Sequence, residues 1–104
     1  MLGMTFKENC PDVRNTKIVD VLAALEDHGT KVTSYDPWAN PDEVQHEYSL
    51  TTITQLPDAK YEAIVLGVSH DEFKKLDWDK YLNTNGVVYD VKGVLENFDN
   101  VIRL

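Results

Sequence analysis

Near its start the chain gathers, within one stretch, residue types that could hold a charged ligand: Leu2-Gly3-Met4-Thr5-Phe6-Lys7-Glu8-Asn9-Cys10-Pro11-Asp12-Val13-Arg14. Gly3 allows a sharp turn or a close backbone approach to a ligand. Phe6 offers a ring on which a base or ribose could stack, and Lys7 and Arg14 supply two cations in a strongly acidic chain. The first-turn N–H groups of a following helix would add partial positive charge. That chemistry is anion or nucleotide binding. A plainer account stands beside it: Asp12 and Arg14 could pair with each other or cap the helix, and Phe6 could be core.

Further along, Ser69, His70, Asp90 and Lys92 stand just beyond, or at the ends of, apolar runs. A site built from these groups binds rather than reacts. Cys10 lies between Asn9 and Pro11, with histidines scattered at His28, His46 and His70, so there is neither a metal-ligand spacing nor a nucleophile paired with a base. No catalytic residue and no metal ligand is expected. His28 suits dipole stabilisation at a helix end, and His46 suits a solvated face. Asp36 follows a strand, where a dinucleotide fold would place a ribose-binding acid, but the G-x-G-x-x-G fingerprint is missing. A cap or turn is the expected role for Asp36.

The elements that must position these residues follow from periodicity. Apolar Ile18, Val19, Val21, Leu22, Ala24 and Leu25 predict a helix over residues 16–28, capped by Asn15 or Thr16 and closed by Gly29. Residues 31–35 read as a strand ended by Asp36-Pro37. Asn40-Pro41-Asp42-Glu43 opens a short helix to about His46. Residues 50–56 read as a short strand or an irregular connector, and Pro57-Asp58-Ala59 as a brief helical turn. The apolar run at residues 63–68 is the clearest strand. Two short helices follow, then a turn at residues 83–86, a strand at 87–91, a turn of helix at 94–97 and an edge strand at 101–104. Alternating strands and helices predict an α/β, Rossmann-like three-layer sandwich with a mainly parallel sheet. Only Met1 and Leu2 precede Gly3, so the first strand reads as truncated, a piece cut from a longer protein. An unpaired sheet edge of that kind invites self-association.

With 104 residues, the chain is read as one domain over 1–104. It is 42% hydrophobic and 27% charged, which favours a folded globular chain over disorder. Net charge is −8, and the cations nowhere cluster beyond Lys74-Lys75, which argues against nucleic acid and against anionic lipid as partners. The longest apolar stretch is too short to span a bilayer, and no signal peptide is evident. With a single cysteine, a cytoplasmic location is expected.

Gly3-x-x-Phe6-Lys7 with Asp12-x-Arg14-x-Thr16, together with Tyr35-Asp36-Pro37, the apolar run at 63–68 and Tyr89-Asp90-Val91-Lys92, resembles the C-terminal, UDP-binding domain of the UDP-glucose/GDP-mannose dehydrogenase family. The string TFKENCPDVRNTK is similar to the branch that oxidises UDP-N-acetylhexosamines. The resemblance implies an NAD-dependent 6-dehydrogenase making UDP-hexosaminuronic acids for surface polysaccharide. It further implies that NAD and the catalytic cysteine belong to N-terminal and central domains missing from this chain, which would be inactive alone. Phe6 and Lys7 match the substrate-contacting pair, and Lys92 stands where an arginine often stands, without its planar fork. Gly3, Arg14 and His70 are further candidates, while Asp12 with Arg14 reads as structural. Partners implied are the UDP-sugar, the other domains and, in the full-length enzyme, a homo-oligomer. The alternative is a free-standing receiver-like or protein-interaction α/β domain.

Overall fold

A computed structural model describes residues 1–14, 16–95 and 101–103 of the chain, with the side chain of Arg103 left aside. Helix α1 (Ile18–Asp27) buries Ile18 and Leu22, one turn apart on a single face. It starts later than periodicity alone suggests because the Thr16 hydroxyl accepts the Ile18 N–H at 3.2 Å. Gly29, at φ +84°, ends it. Helix α2 (Pro41–Tyr48) begins as its sequence requires: Asn40 Oδ1 accepts the Asp42 N–H at 2.9 Å and Pro41 occupies the first helical position.

The sheet is built around strand β1 (Tyr61–Leu66), which pairs in parallel with β2 (Leu82–Asp90); β3 (Val101–Arg103) pairs in parallel with the far side of β2. Between Tyr61 and Ala63 the register jumps from Leu82 to Val87, so residues 83–86, expected as a turn, form an excursion within β2. On the other side of β1, Leu2 bridges both Leu66 and Tyr35, and Tyr35 bridges Ile53, each in parallel. Across the sheet the order is therefore Ile53, Tyr35, Leu2, β1, β2, β3. In chain order that is third, second, first, fourth, fifth and sixth, the doubly wound Rossmann order. Its switch point lies between Leu2 and β1.

Four further expectations need correction or completion. The strand foreseen at 31–35 contracts to single bridges at Tyr35: in a parallel register residues 31–34 run beside Met1, whose amino group donates to the Thr33 carbonyl at 2.9 Å, and that contact alone makes no ladder there. Residues 57–59 form no helix: Leu56 and Pro57 are half-buried, but nothing beyond them extends an apolar helical face. The turn of helix at 94–97 and the edge strand at 101–104 fall partly outside the described residues; Val101–Arg103 is a strand.

Apolar side chains pack on both faces. One cluster joins Leu2, Ile64, Leu66, Val88 and Phe73, with Trp78 and Tyr81 of helix α3 (Trp78–Tyr81) against it. The other joins Met4, Val68, Ile18, Leu22 and Val44 under α1 and α2. This is the expected three-layer sandwich. A Cβ at Gly67 would meet the tips of the Met1 and Ile18 side chains, which would have to swing aside.

Candidate functional site

At the switch point the chain leaves Leu2, turns at Gly3, and lifts a short polar tip off the sheet. Thr5 is fully buried, whereas Phe6 is 56% exposed and Lys7, Glu8 and Asn9 are exposed. Phe6 is thus not core. Within the tip, the Thr5 hydroxyl donates to the Lys7 carbonyl at 3.0 Å, and the Phe6 N–H donates to the Asp12 carbonyl at 2.7 Å.

Both feet of the tip are pinned by buried polar groups. Asp36, with no exposed surface, accepts the N–H groups of Met4 (2.6 Å) and Thr5 (3.1 Å) on one oxygen and that of Trp38 (2.8 Å) on the other. Its expected turn-forming role is what those bonds perform. His70, also without exposed surface, places Nε2 3.0 Å from Asp36 Oδ2 and 3.1 Å from Thr5 Oγ1. The Asn9 N–H donates to His70 Nδ1 at 2.8 Å. A backbone amide can only donate, so Nδ1 is bare and the ring proton sits on Nε2, directed at Asp36 and Thr5. The Asn9 side chain then accepts the Asp71 N–H at 3.0 Å, at the start of the 3₁₀ turn Asp71–Lys75. Asn9 adopts φ +53°, a left-handed conformation that asparagine tolerates better than most residues.

Charge follows from this wiring. Burial pushes the Asp36 carboxyl up, but the hydrogen bonds from His70, Met4 and Trp38 outweigh it and hold the group below its ordinary value. The indole of Trp38 stacks on the His70 ring at a centroid distance of 5.8 Å, and the Phe73 ring lies tilted against it at 5.2 Å.

The remaining sequence candidates divide. Lys92 is exposed in the turn after β2, a turn held by Asp90, whose carboxylate accepts the N–H groups of Gly93 and Leu95 at 2.8 Å each. Strands Leu2 and β2 flank β1, so the tip and the Lys92 turn sit at the same carboxyl edge, about 10 Å apart at ordinary strand spacing. Gly3 serves packing: a Cβ there would come within 2.6 Å of the Val68 Cβ and 2.8 Å of the Val68 backbone nitrogen. Arg14 pairs in solvent with Asp12 at 3.1 Å and lines a surface hollow shared with Glu43 and Glu47, poor surroundings for an anion. The mutual hydrogen bonds lower the Asp12 carboxyl and raise the Arg14 guanidinium. His70 was a candidate ligand contact; enclosed, with both ring nitrogens bonded inside the protein, it presents no polar atom to a ligand. Ser69 is buried as well, and Cys10 is half-buried in the loop. An apolar cavity of about 110 Å³, lined among others by Val32, Thr33, Tyr61, Ala63 and Val65, opens toward the amino ends of the strands, away from the tip. Among the described residues no group of three His, Cys, Asp or Glu could hold a metal, and no helix is long and apolar enough to cross a membrane.

Residues 1–97 match the model of the UDP-glucose/GDP-mannose dehydrogenase family, UDP binding domain. The chain belongs to that family. Among relatives it is 39% identical to a UDP-N-acetyl-D-glucosamine 6-dehydrogenase of Salmonella typhi and 37% identical to one of Pseudomonas aeruginosa, in each case over all of this chain and 25% of the relative. It is 32% identical to protein CapL of Staphylococcus aureus over 93% of this chain and 23% of that one. The chain thus spans about a quarter of the length of the relatives it matches. In structure it is similar to a UDP-N-acetyl-mannosamine dehydrogenase of S. aureus, with a TM-score of 0.72 and 23% identity over 98% of this chain and 24% of the other, a likeness of fold. Membership in the dehydrogenase family sets aside the receiver-like alternative. In this UDP binding domain, Phe6 and Lys7 occupy the switch-point tip; of the residues that hold it, Asp36 and His70 were singled out by sequence, whereas Thr5 and Asn9 were given no role. Asn9 drew no attention as a loop residue, although asparagine in a polar loop is a recurrent signal for a left-handed turn.

Proposed function

We propose that the chain is the substrate-nucleotide-binding cap of an NAD-dependent UDP-N-acetylhexosamine 6-dehydrogenase, with Phe6, Lys7 and Lys92 contacting UDP. The observation that carries this reading is the pinned, exposed Phe6-Lys7 tip at the switch point of a doubly wound sheet, where ligands of such folds collect. Phe6 gives a ring for the uracil or ribose, and Lys7 and Lys92 give cations to the diphosphate. Gly3 shapes the tip, and Arg14, already paired, stays outside the contact set.

Oxidation of the sugar belongs, on this reading, to the rest of the full-length protein, which binds NAD and carries the catalytic groups. The isolated chain then turns over no substrate, and the whole enzyme is a cytoplasmic homo-oligomer serving surface-polysaccharide synthesis. Which hexosamine is used is left to the domains that hold the sugar. Titrating the isotopically labelled chain with UDP tests the binding claim: amide shifts are expected at Phe6, Lys7 and Lys92. No shift at millimolar UDP, or shifts confined to the opposite sheet edge, overturns it.

A further inference from the structure

We propose that His70 is a positioning residue of this nucleotide site, its neutral ring holding the Phe6-Lys7 tip in place through Asn9 and Thr5. The inference rests on the UDP-binding reading above and adds to it the group that fixes the geometry of the contact.

The ring joins three loops at the carboxyl edge. Its own follows β1; Asp36 and the stacked Trp38 belong to the loop after Tyr35; Thr5 and Asn9 are the two feet of the tip after Leu2. The two ring nitrogens do separate work. Nε2–H engages Asp36 and the near foot, while bare Nδ1 receives the far foot. An enclosed polar cluster of this kind adds little net stability over an apolar side chain of similar volume. Phe73 fills the adjacent volume with an apolar ring. What the polar ring adds at this spot is the order of Phe6, Lys7 and Glu8, whose own side chains are exposed and gain little from packing.

Two substitutions separate the nitrogens, because an asparagine amide overlays Nδ1 and a glutamine amide overlays Nε2. His70→Gln keeps a donor for Asp36 and loses the acceptor for Asn9. His70→Asn keeps the acceptor for Asn9 and loses the donor for Asp36. In the chain itself, His70→Gln is expected to weaken UDP binding about tenfold, the factor corresponding to one ordinary hydrogen bond. His70→Asn, though the less heat-stable of the two, is expected to recover most of that loss. A merely structural histidine gives the opposite ordering, with affinity following thermal stability; that outcome, or wild-type affinity in His70→Gln, overturns the proposal. If the parent chain takes no UDP, the nucleotide reading falls and the positioning role with it. If the parent binds and His70→Gln binds equally, only the positioning role falls. Hydrogen exchange without ligand reads the clamp directly: the Asn9 amide is expected to be protected in the parent and to exchange fast in His70→Gln. Equal protection in both overturns it.

Discussion

The Asn9 amide and the His70 ring, 61 positions apart in the chain, meet end to end, N–H to bare Nδ1, at 2.8 Å. The Asn9 side chain completes the grip by accepting the Asp71 N–H, so one residue in a left-handed turn fastens the tip to the loop after β1. Replacing Asn9 by alanine removes that side-chain bond and puts at φ +53° a residue that tolerates the left-handed region less well than asparagine, for a combined cost of about 2 kcal/mol. Glycine loses the bond but adopts the turn freely, so Asn9→Gly should cost about half as much. Urea unfolding of the two variants measures the difference; an alanine variant as stable as the glycine variant contradicts the left-handed turn.

Asp36 makes stability depend on acid. Its folded-state carboxyl lies below the ordinary value of 3.8, so its contribution is complete above that value and is lost as pH falls through the lower, folded one. Asp36→Asn turns an amide NH₂ either toward the Trp38 N–H or toward the Met4 N–H and the His70 Nε2–H, and in both cases removes the negative charge those donors face. The expected cost is about 3 kcal/mol near neutral pH, shrinking as pH drops below 3.8. Urea midpoints of parent and variant, measured at neutral pH and again in acid, test this; a gap that does not change with pH refutes it.

Gly3 should tolerate no substitution. Alanine there meets Val68 Cβ at 2.6 Å while being forced to φ +103°, a loss of about 3 kcal/mol from overpacking and backbone strain together. Trimming the neighbour with Val68→Ala in the same chain should recover only part, because the Val68 backbone nitrogen stays 2.8 Å from the new Cβ. Full recovery in the double variant, by the same unfolding measurement, places the strain in the side chain alone.

Phe6→Ala and Lys7→Gln should behave in the opposite way. Both side chains are exposed, so the unfolding free energy should move by no more than about 0.5 kcal/mol. UDP binding should nonetheless weaken, and Lys7→Gln should also flatten its dependence on salt. A Phe6→Ala variant that unfolds far more easily assigns the ring to the core.

Elements whose signals are local were legible in the sequence. Asn40-Pro41 announces α2, and the apolar run at residues 63–68 announces β1, which the structure places two residues earlier at Tyr61–Leu66. The parallel α/β architecture followed from their alternation, and the exposed tip could be located because it lies between a strand and a helix. The Tyr35 strand was overread because its length depends on a neighbour, Leu2, that supplies a single bridge. Residues 57–59 were overread because proline and aspartate open turns as readily as helices. The His70 wiring was out of reach for a different reason. Thr5, Asp36 and His70 become neighbours only once the sheet order sets three loops side by side, and no spacing along the chain encodes that.

A tip held at both feet does not have to search for its shape when a ligand arrives. Encounter and capture then coincide, and the association rate is set by diffusion and charge instead of by loop closure. Weakening one foot brings the search back, so damage to the clamp is felt as slower capture as well as faster escape.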